Sequence, residues 1–158
     1  MNGVMAYLYR FIVVIGGYIA ACLAASAFLN IVILGSSGLA AEDMPFVATG
    51  SFIFSIPFVA LLVAYFAFVP SVLAILASEV LGKRDWLFHA IAGGIVAAVL
   101  TGFFRRSTEA GNEAAVDLTV VLVMIAAGMC GGIGYWLIAG RTAGSWRQRQ
   151  RDVTSSAP

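Results

Sequence analysis

Charge is scarce in this chain. Only 11% of its 158 residues are charged, against about 25% in an average soluble domain. From Met44 to Ser78 there is no charged side chain at all. With 61% hydrophobic residues and a mean hydropathy of +0.98, most of the chain must face lipid or other apolar groups. The net charge of +1 provides no basic surface for nucleic acid, which is excluded as a partner. Histidine and cysteine are almost missing too, with one and two copies. Cys22 and Cys130 stand far apart in apolar runs, form no CxxC and have no histidine beside them. They read as small buried hydrophobes rather than metal ligands.

The motifs of catalysis are absent as well: no GxSxG, no HExxH, no glycine-rich loop with its lysine, no Cys–His pairing. No cofactor, metal or catalytic residue is expected, and the chain does not read as an enzyme. Nor does any carboxylate fall in the middle of an apolar run, where a proton- or cation-coupled transporter would place one. Eight of the nine basic residues are arginine, which points to a GC-rich bacterial genome.

What is present is apolar length. About 20 apolar residues cross the hydrocarbon layer as a helix, and four runs qualify: 11–34, 45–69, 86–104 and 118–140. The first carries Ala25-Ser26-Ala27, an A-x-A pattern like a signal-peptide cleavage site. The apolar run continues well past it, so a retained helix is the reading adopted. Gly35–Gly38 break that helix, with Glu42 and Asp43 in the loop. Asp43-Met44-Pro45 then starts the second span, since proline in a first turn forfeits no hydrogen bond. Pro57 should kink this span, with Thr49, Ser51 and Ser55 near enough to satisfy a freed carbonyl. Pro70 and Ser71 suggest a second break. Beyond it Val72, Leu73, Leu76 and Val80 recur at helical spacing among Ser71, Ser78, Glu79 and Lys83, predicting a short amphipathic surface helix over 71–81. The alternative is one continuous helix to Leu81. Asp85 is placed to cap the third helix.

The fold class expected is therefore all-α: a polytopic membrane protein with four transmembrane helices and a short surface helix between the second and third. Residues 1–140 form the membrane domain, and 141–158 a basic, partly disordered tail carrying Arg147, Arg149 and Arg151. One side of the membrane receives Arg10, Lys83, Arg84, Arg141 and the tail arginines. The other receives Arg105 and Arg106, facing Glu109, Glu113 and Asp117 in what reads as a salt-bridged cap. The positive-inside rule then puts both termini in the cytoplasm of a bacterial inner-membrane protein, with the tail near anionic headgroups.

Small residues recur every fourth position: Gly17, Ala21 and Ala25 on the first span, Ala90, Gly94, Ala98 and Gly102 on the third, and Gly128 and Gly132, with Gly131 and Gly134 beside them, on the fourth. Such stripes let helices approach closely in lipid. They imply a protein that works through helix–helix contacts, as an accessory subunit of a membrane complex or as a homo-oligomer. A small oligomeric transporter or channel is the alternative, its polar stripe drawn from Thr49, Ser51, Ser55, Tyr65 and His89. Asn30 reads as a packing amide. By depth, Tyr18, Tyr65, His89 and Tyr135 form a candidate polar cluster, which Glu79 could reach.

Overall fold

The computed structural model describes residues 3–36, 45–109 and 117–142. They form four helices, α1 (Gly3–Ser36), α2 (Pro45–Leu81), α3 (Trp86–Glu109) and α4 (Leu118–Ile138), followed by a 3₁₀ turn at Gly140–Thr142. No strand occurs among the described residues. Each helix contains a stretch long and apolar enough to cross a membrane: Tyr7–Ile33, Ile53–Leu81, Trp86–Arg106 and Leu118–Ile138. Large apolar side chains such as Phe11, Phe54, Phe58, Ile95 and Phe103 face outward on every side. The bundle is therefore clothed in the groups that lipid solvates.

The separate surface helix over 71–81 is not there. α2 runs unbroken through Pro57 and Pro70 to Leu81. Ser78, on the segment expected to lie on the surface, is buried against the bundle, and its hydroxyl donates to Ile75 O at 2.8 Å. Proline removes one helical hydrogen bond, whereas a break would leave several backbone groups unpaired in lipid. Continuing is the cheaper course. Gly82 ends α2 at φ +62°, the left-handed conformation that glycine adopts freely, and Lys83 N closes the turn on Ser78 O at 3.3 Å.

Consecutive helices run antiparallel, so one end of the bundle, here the near end, gathers the start of α1, the end of α2, the start of α3 and the end of α4. The helix α4 is the centre of the packing because two of its faces lack side chains. On one face Gly128 and Gly132 lie against α3, where an added Cβ would strike the carbonyl oxygens of Gly93 and His89. On the other, Cβ atoms added at Gly131 and Gly134 would come within 3.0 Å of Ala21 O and Ala20 O of α1. Gly17 meets Ala139 and Tyr135 at the near end of the same seam. Contact this close places carbonyl oxygens against Cα hydrogens and maximises dispersion, the two attractions that remain between helices in lipid.

The stripe on α3 is used for only half its length. Ala90 is fully buried against Gly132, and Gly94 packs on Met129 and Ile125. Ala98 and Gly102 instead face outward, with nothing described within 4 Å of a Cβ at Gly102. Gly93 and Ala97 take the inner positions. A straight helix turns 3.6 residues at a time, so a four-residue stripe drifts around it and leaves the seam after two turns.

Between α1 and α2 polar side chains replace glycines. Ser26 donates to Ile56 O at 2.7 Å, Ser55 donates to Asn30 Oδ1, and Asn30 Nδ2 donates to Ser26 O at 2.9 Å. Ser26, read from sequence only as the centre of an A-x-A pattern, is completely buried in this contact. The start of α4 is capped by Asp117, whose carboxylate accepts from Thr119 N at 3.0 Å. That bond, with a second from the Thr119 hydroxyl, holds the Asp117 carboxyl below its ordinary pKa. The loops at 37–44 and 110–116, the tail from 143, and the side chains of Thr49, Ser51 and Glu109 lie outside the described residues. So the salt-bridged cap expected around Arg105 and Arg106, and the tail expected near headgroups, fall there in whole or in part.

Candidate functional site

The near end concentrates the polar groups. Arg10, one-fifth exposed, forms an ion pair with Glu79 through Nη2, while its Nη1 donates to Thr142 Oγ1 at 2.5 Å and to Ala139 O at 3.4 Å. One guanidinium thus ties α1 to the end of α2 and to the turn after α4. By sequence Arg10 counted only among the basic residues on one side of the membrane, and Glu79 was placed within reach of His89. The two do stand at matching depth on adjacent antiparallel helices, and that alignment was the available signal. Deep ionisable groups in lipid pair with one another, so the α1 cation claims the α2 carboxylate.

His89 takes a different partner. Its ring stacks on Tyr135 of α4, with centroids 5.6 Å apart and planes 22° from parallel. Nδ1 lies 2.9 Å from Asp85 O. A carbonyl only accepts, so Nδ1 carries a proton and donates to it. Asp85 thus engages the start of α3 through its backbone carbonyl. Both His89 and Tyr135 are 5% exposed, and neither His89 Nε2 nor the Tyr135 hydroxyl has a hydrogen-bond partner among the described residues. Beside them Trp136 Nε1 donates to Arg84 O at 2.7 Å, and Arg141 lies 4.5 Å over the Trp136 ring. These contacts fasten the α2–α3 turn to the end of α4.

Tyr18 sits further inside. Its hydroxyl donates to Ala64 O of α2 at 2.6 Å and its ring meets Phe68 edge-on. Tyr65 is elsewhere: it is 77% exposed on the outer face of α2, against Phe66. The structure therefore brings together Tyr18, His89 and Tyr135 along one cavity, sets Glu79 with Arg10 at the near end, and leaves Tyr65 facing outward. Helical spacing alone cannot separate these outcomes, because α2 is apolar on all sides and its sequence does not say which face turns inward.

The cavity itself was not foreseen from sequence. Of about 600 Å³, it lies between the four helices and is partly open to the outside. Tyr18, Ser78, His89 and Tyr135 line its near part and Leu100, Thr101 and Arg105 its far part. Apolar side chains, including Leu29, Val63 and Phe66, make up nearly all the rest of the wall. It exists because α2 presents bulky residues and keeps its distance, while α4 is drawn tightly onto α1 and α3. Cys22, buried in the same wall, and Cys130 are both free thiols. No cluster of three or more potential metal ligands occurs among the described residues.

No protein-family model matches this chain, and no curated protein or solved structure matches it either.

Proposed function

We propose that this is a small, non-enzymatic integral membrane protein that works through helix–helix contacts, as an accessory subunit of a larger membrane complex or as a homo-oligomer. The observation that supports this reading most directly is the outer half of the α3 stripe. Ala90 and Gly94 are used inside the bundle, whereas Ala98 and Gly102, in register with them, face outward. Small residues four apart on a lipid-facing surface admit a second helix at close range. In this reading the protein sits in a bacterial inner membrane with both termini in the cytoplasm, and its arginine-rich tail rests against anionic headgroups.

No observation favours the channel alternative over this one. Of the residues that would have built its polar stripe, Ser55 is engaged by Asn30, Tyr65 faces outward and His89 stacks within the bundle. The test is purification of the tagged full-length protein in mild detergent, followed by mass measurement. A foreign subunit supports the accessory role and self-association the homo-oligomer, with either lost in Gly102→Leu. A monomer that carries nothing overturns both.

A further inference from the structure

The near end carries more positive charge than the bundle uses. Among the described residues Arg10, Lys83, Arg84 and Arg141 stand there against Glu79 and Asp85. Arg10 and Glu79 neutralise one another. Lys83 and Arg141 are exposed, and neither has an acidic partner among the described residues. Lys83 lies between the end of the second candidate span at Leu81 and the start of the third at Trp86, and Arg141 lies just beyond the end of the fourth at Ile138. Both therefore sit at the depth of lipid headgroups.

The two segments that carry these cations are fixed in place. Lys83 N donates to Ser78 O at 3.3 Å, and Trp136 Nε1 donates to Arg84 O at 2.7 Å. After α4, Thr142 N donates to Ala139 O at 3.2 Å, and Gly140 is buried against His89 and Trp136. From that turn Arg141 reaches back over the same indole, 4.5 Å from its centroid. Trp136 thus braces both cationic segments at once. A guanidinium has a flat face that rests on aromatic rings and a rim of N–H donors that matches phosphate. Arg141 makes no hydrogen bond among the described residues, so its donors remain for a ligand. Because its side chain is already placed, binding through it costs less rotamer freedom than binding through a loose arginine.

We infer that Lys83 and Arg141, braced by Trp136 and the Arg84 backbone, form a binding site for the phosphate of an anionic phospholipid. Directly inside the two cations, Leu87 and Leu137 are half exposed and offer apolar surface to the acyl chains. That surface and the depth of the site commit it to a lipid rather than to soluble phosphate. A zwitterionic headgroup would bring a cation of its own beside these two and is disfavoured. The site takes from the function proposed above only that the bundle lies in a bilayer. It does not involve the outer Ala98–Gly102 face, so either can fail without the other.

Full-length protein in mild detergent is titrated separately with phosphatidylglycerol, with phosphatidylcholine of the same acyl chains, and with inorganic phosphate, and native mass spectrometry counts what stays bound. Detergent micelles without charge offer no anionic surface, so a lipid is retained only by a site. Phosphatidylglycerol should be held about tenfold more tightly than phosphatidylcholine, and inorganic phosphate should not bind. Arg141→Gln and Lys83→Gln should each weaken retention about fivefold, the worth of one cation beside an anionic headgroup. Arg149→Gln removes the same charge from the tail and should change retention less than about twofold. Trp136→Leu keeps every charge, yet should weaken retention as much as Arg141→Gln does. Trp136→Phe, which loses the bond to Arg84 O, serves if Trp136→Leu does not fold. Equal retention of the two lipids, or saturable binding of inorganic phosphate, overturns the inference. So do equal losses in Arg141→Gln and Arg149→Gln, or retention indifferent to the change at Trp136, because either outcome means attraction by charge without a site.

Discussion

The two sides of α4 and the inner side of α2 were built by opposite means. α4 meets α1 and α3 through glycines set against backbone carbonyls, and no room remains between them. Among its described residues α2 has only three buried at comparable depth, Ala60, Ala67 and Ser78. It is held instead by a few directed bonds, from Tyr18, Ser26 and Asn30 along its length and from Arg10 at its end. In lipid the hydrophobic effect does not press helices together. Where side chains are absent, contact is continuous; where they are large, helices touch at polar points and leave a slot. One bundle thus contains a rigid core of three helices and a fourth that is fastened rather than fused.

The harshest way to break the comparison is to give the seam a side chain. Gly132→Leu forces atoms into the backbone at His89 and Ala90 and should cost about 3 kcal/mol, the upper range of overpacking. Gly102→Leu, on the open outer part of α3, should change monomer stability by about 0.5 kcal/mol or less. Denaturant unfolding in detergent micelles measures both, and equal losses would mean the seam is not the tight region.

Next in size is the fastening of α2. Removing the carboxylate in Glu79→Leu leaves Arg10 without its ion partner and should cost about 2 kcal/mol, the scale of a charged hydrogen bond. Adding Arg10→Leu should recover much of that, because an apolar pair has no charge left to desolvate. Thermal unfolding of the two single variants and the double variant tests this, and simple additivity would contradict the pairing.

Smaller again is the polar contact at mid-helix. Ser26→Ala removes the bond to Ile56 O and the hydroxyl that Asn30 Nδ2 reaches at 3.4 Å, with an expected loss of about 1 kcal/mol. Amide exchange in α2 around Ile56 should rise while α4 stays protected. Uniform acceleration in all helices would argue against α2 being held separately.

The smallest effect concerns pH. The Asp117 carboxyl is held below its ordinary pKa by Thr119, so its capping contribution is present above that ordinary value, near pH 4, and fades as pH falls through the lower folded value. Amides in the first turn of α4 should exchange faster in acid than those of the seam. Asp117→Asn keeps a capping oxygen and should remove the pH dependence.

Much of the architecture was open to reading in advance because it follows from composition and punctuation. Long uncharged runs have no stable place in water, and Pro45 opens α2 where a first-turn proline was expected. The candidate site was less accessible. Tyr18, His89 and Tyr135 could be put at matching depth by counting, but depth does not say which way a side chain turns, and Tyr65 at similar depth turned outward. Proline at position 70 misled for a related reason: as a breaker it has that force in water, where freed carbonyls find solvent, and loses it where they do not.

The sequence by itself determined that four apolar helices form, in what order, and that glycines crowd α4 at 128, 131, 132 and 134, since these depend on local composition and hydrogen bonding within one segment. Only the tertiary structure decided that Gly93 rather than Ala98 meets α4, that Glu79 belongs to Arg10, and that α2 stands off far enough to leave a slot. Each helix is apolar all round, so no amphipathic bias sets its rotation. Which face turns inward is settled by pairwise fit, and that is a property of two helices at once.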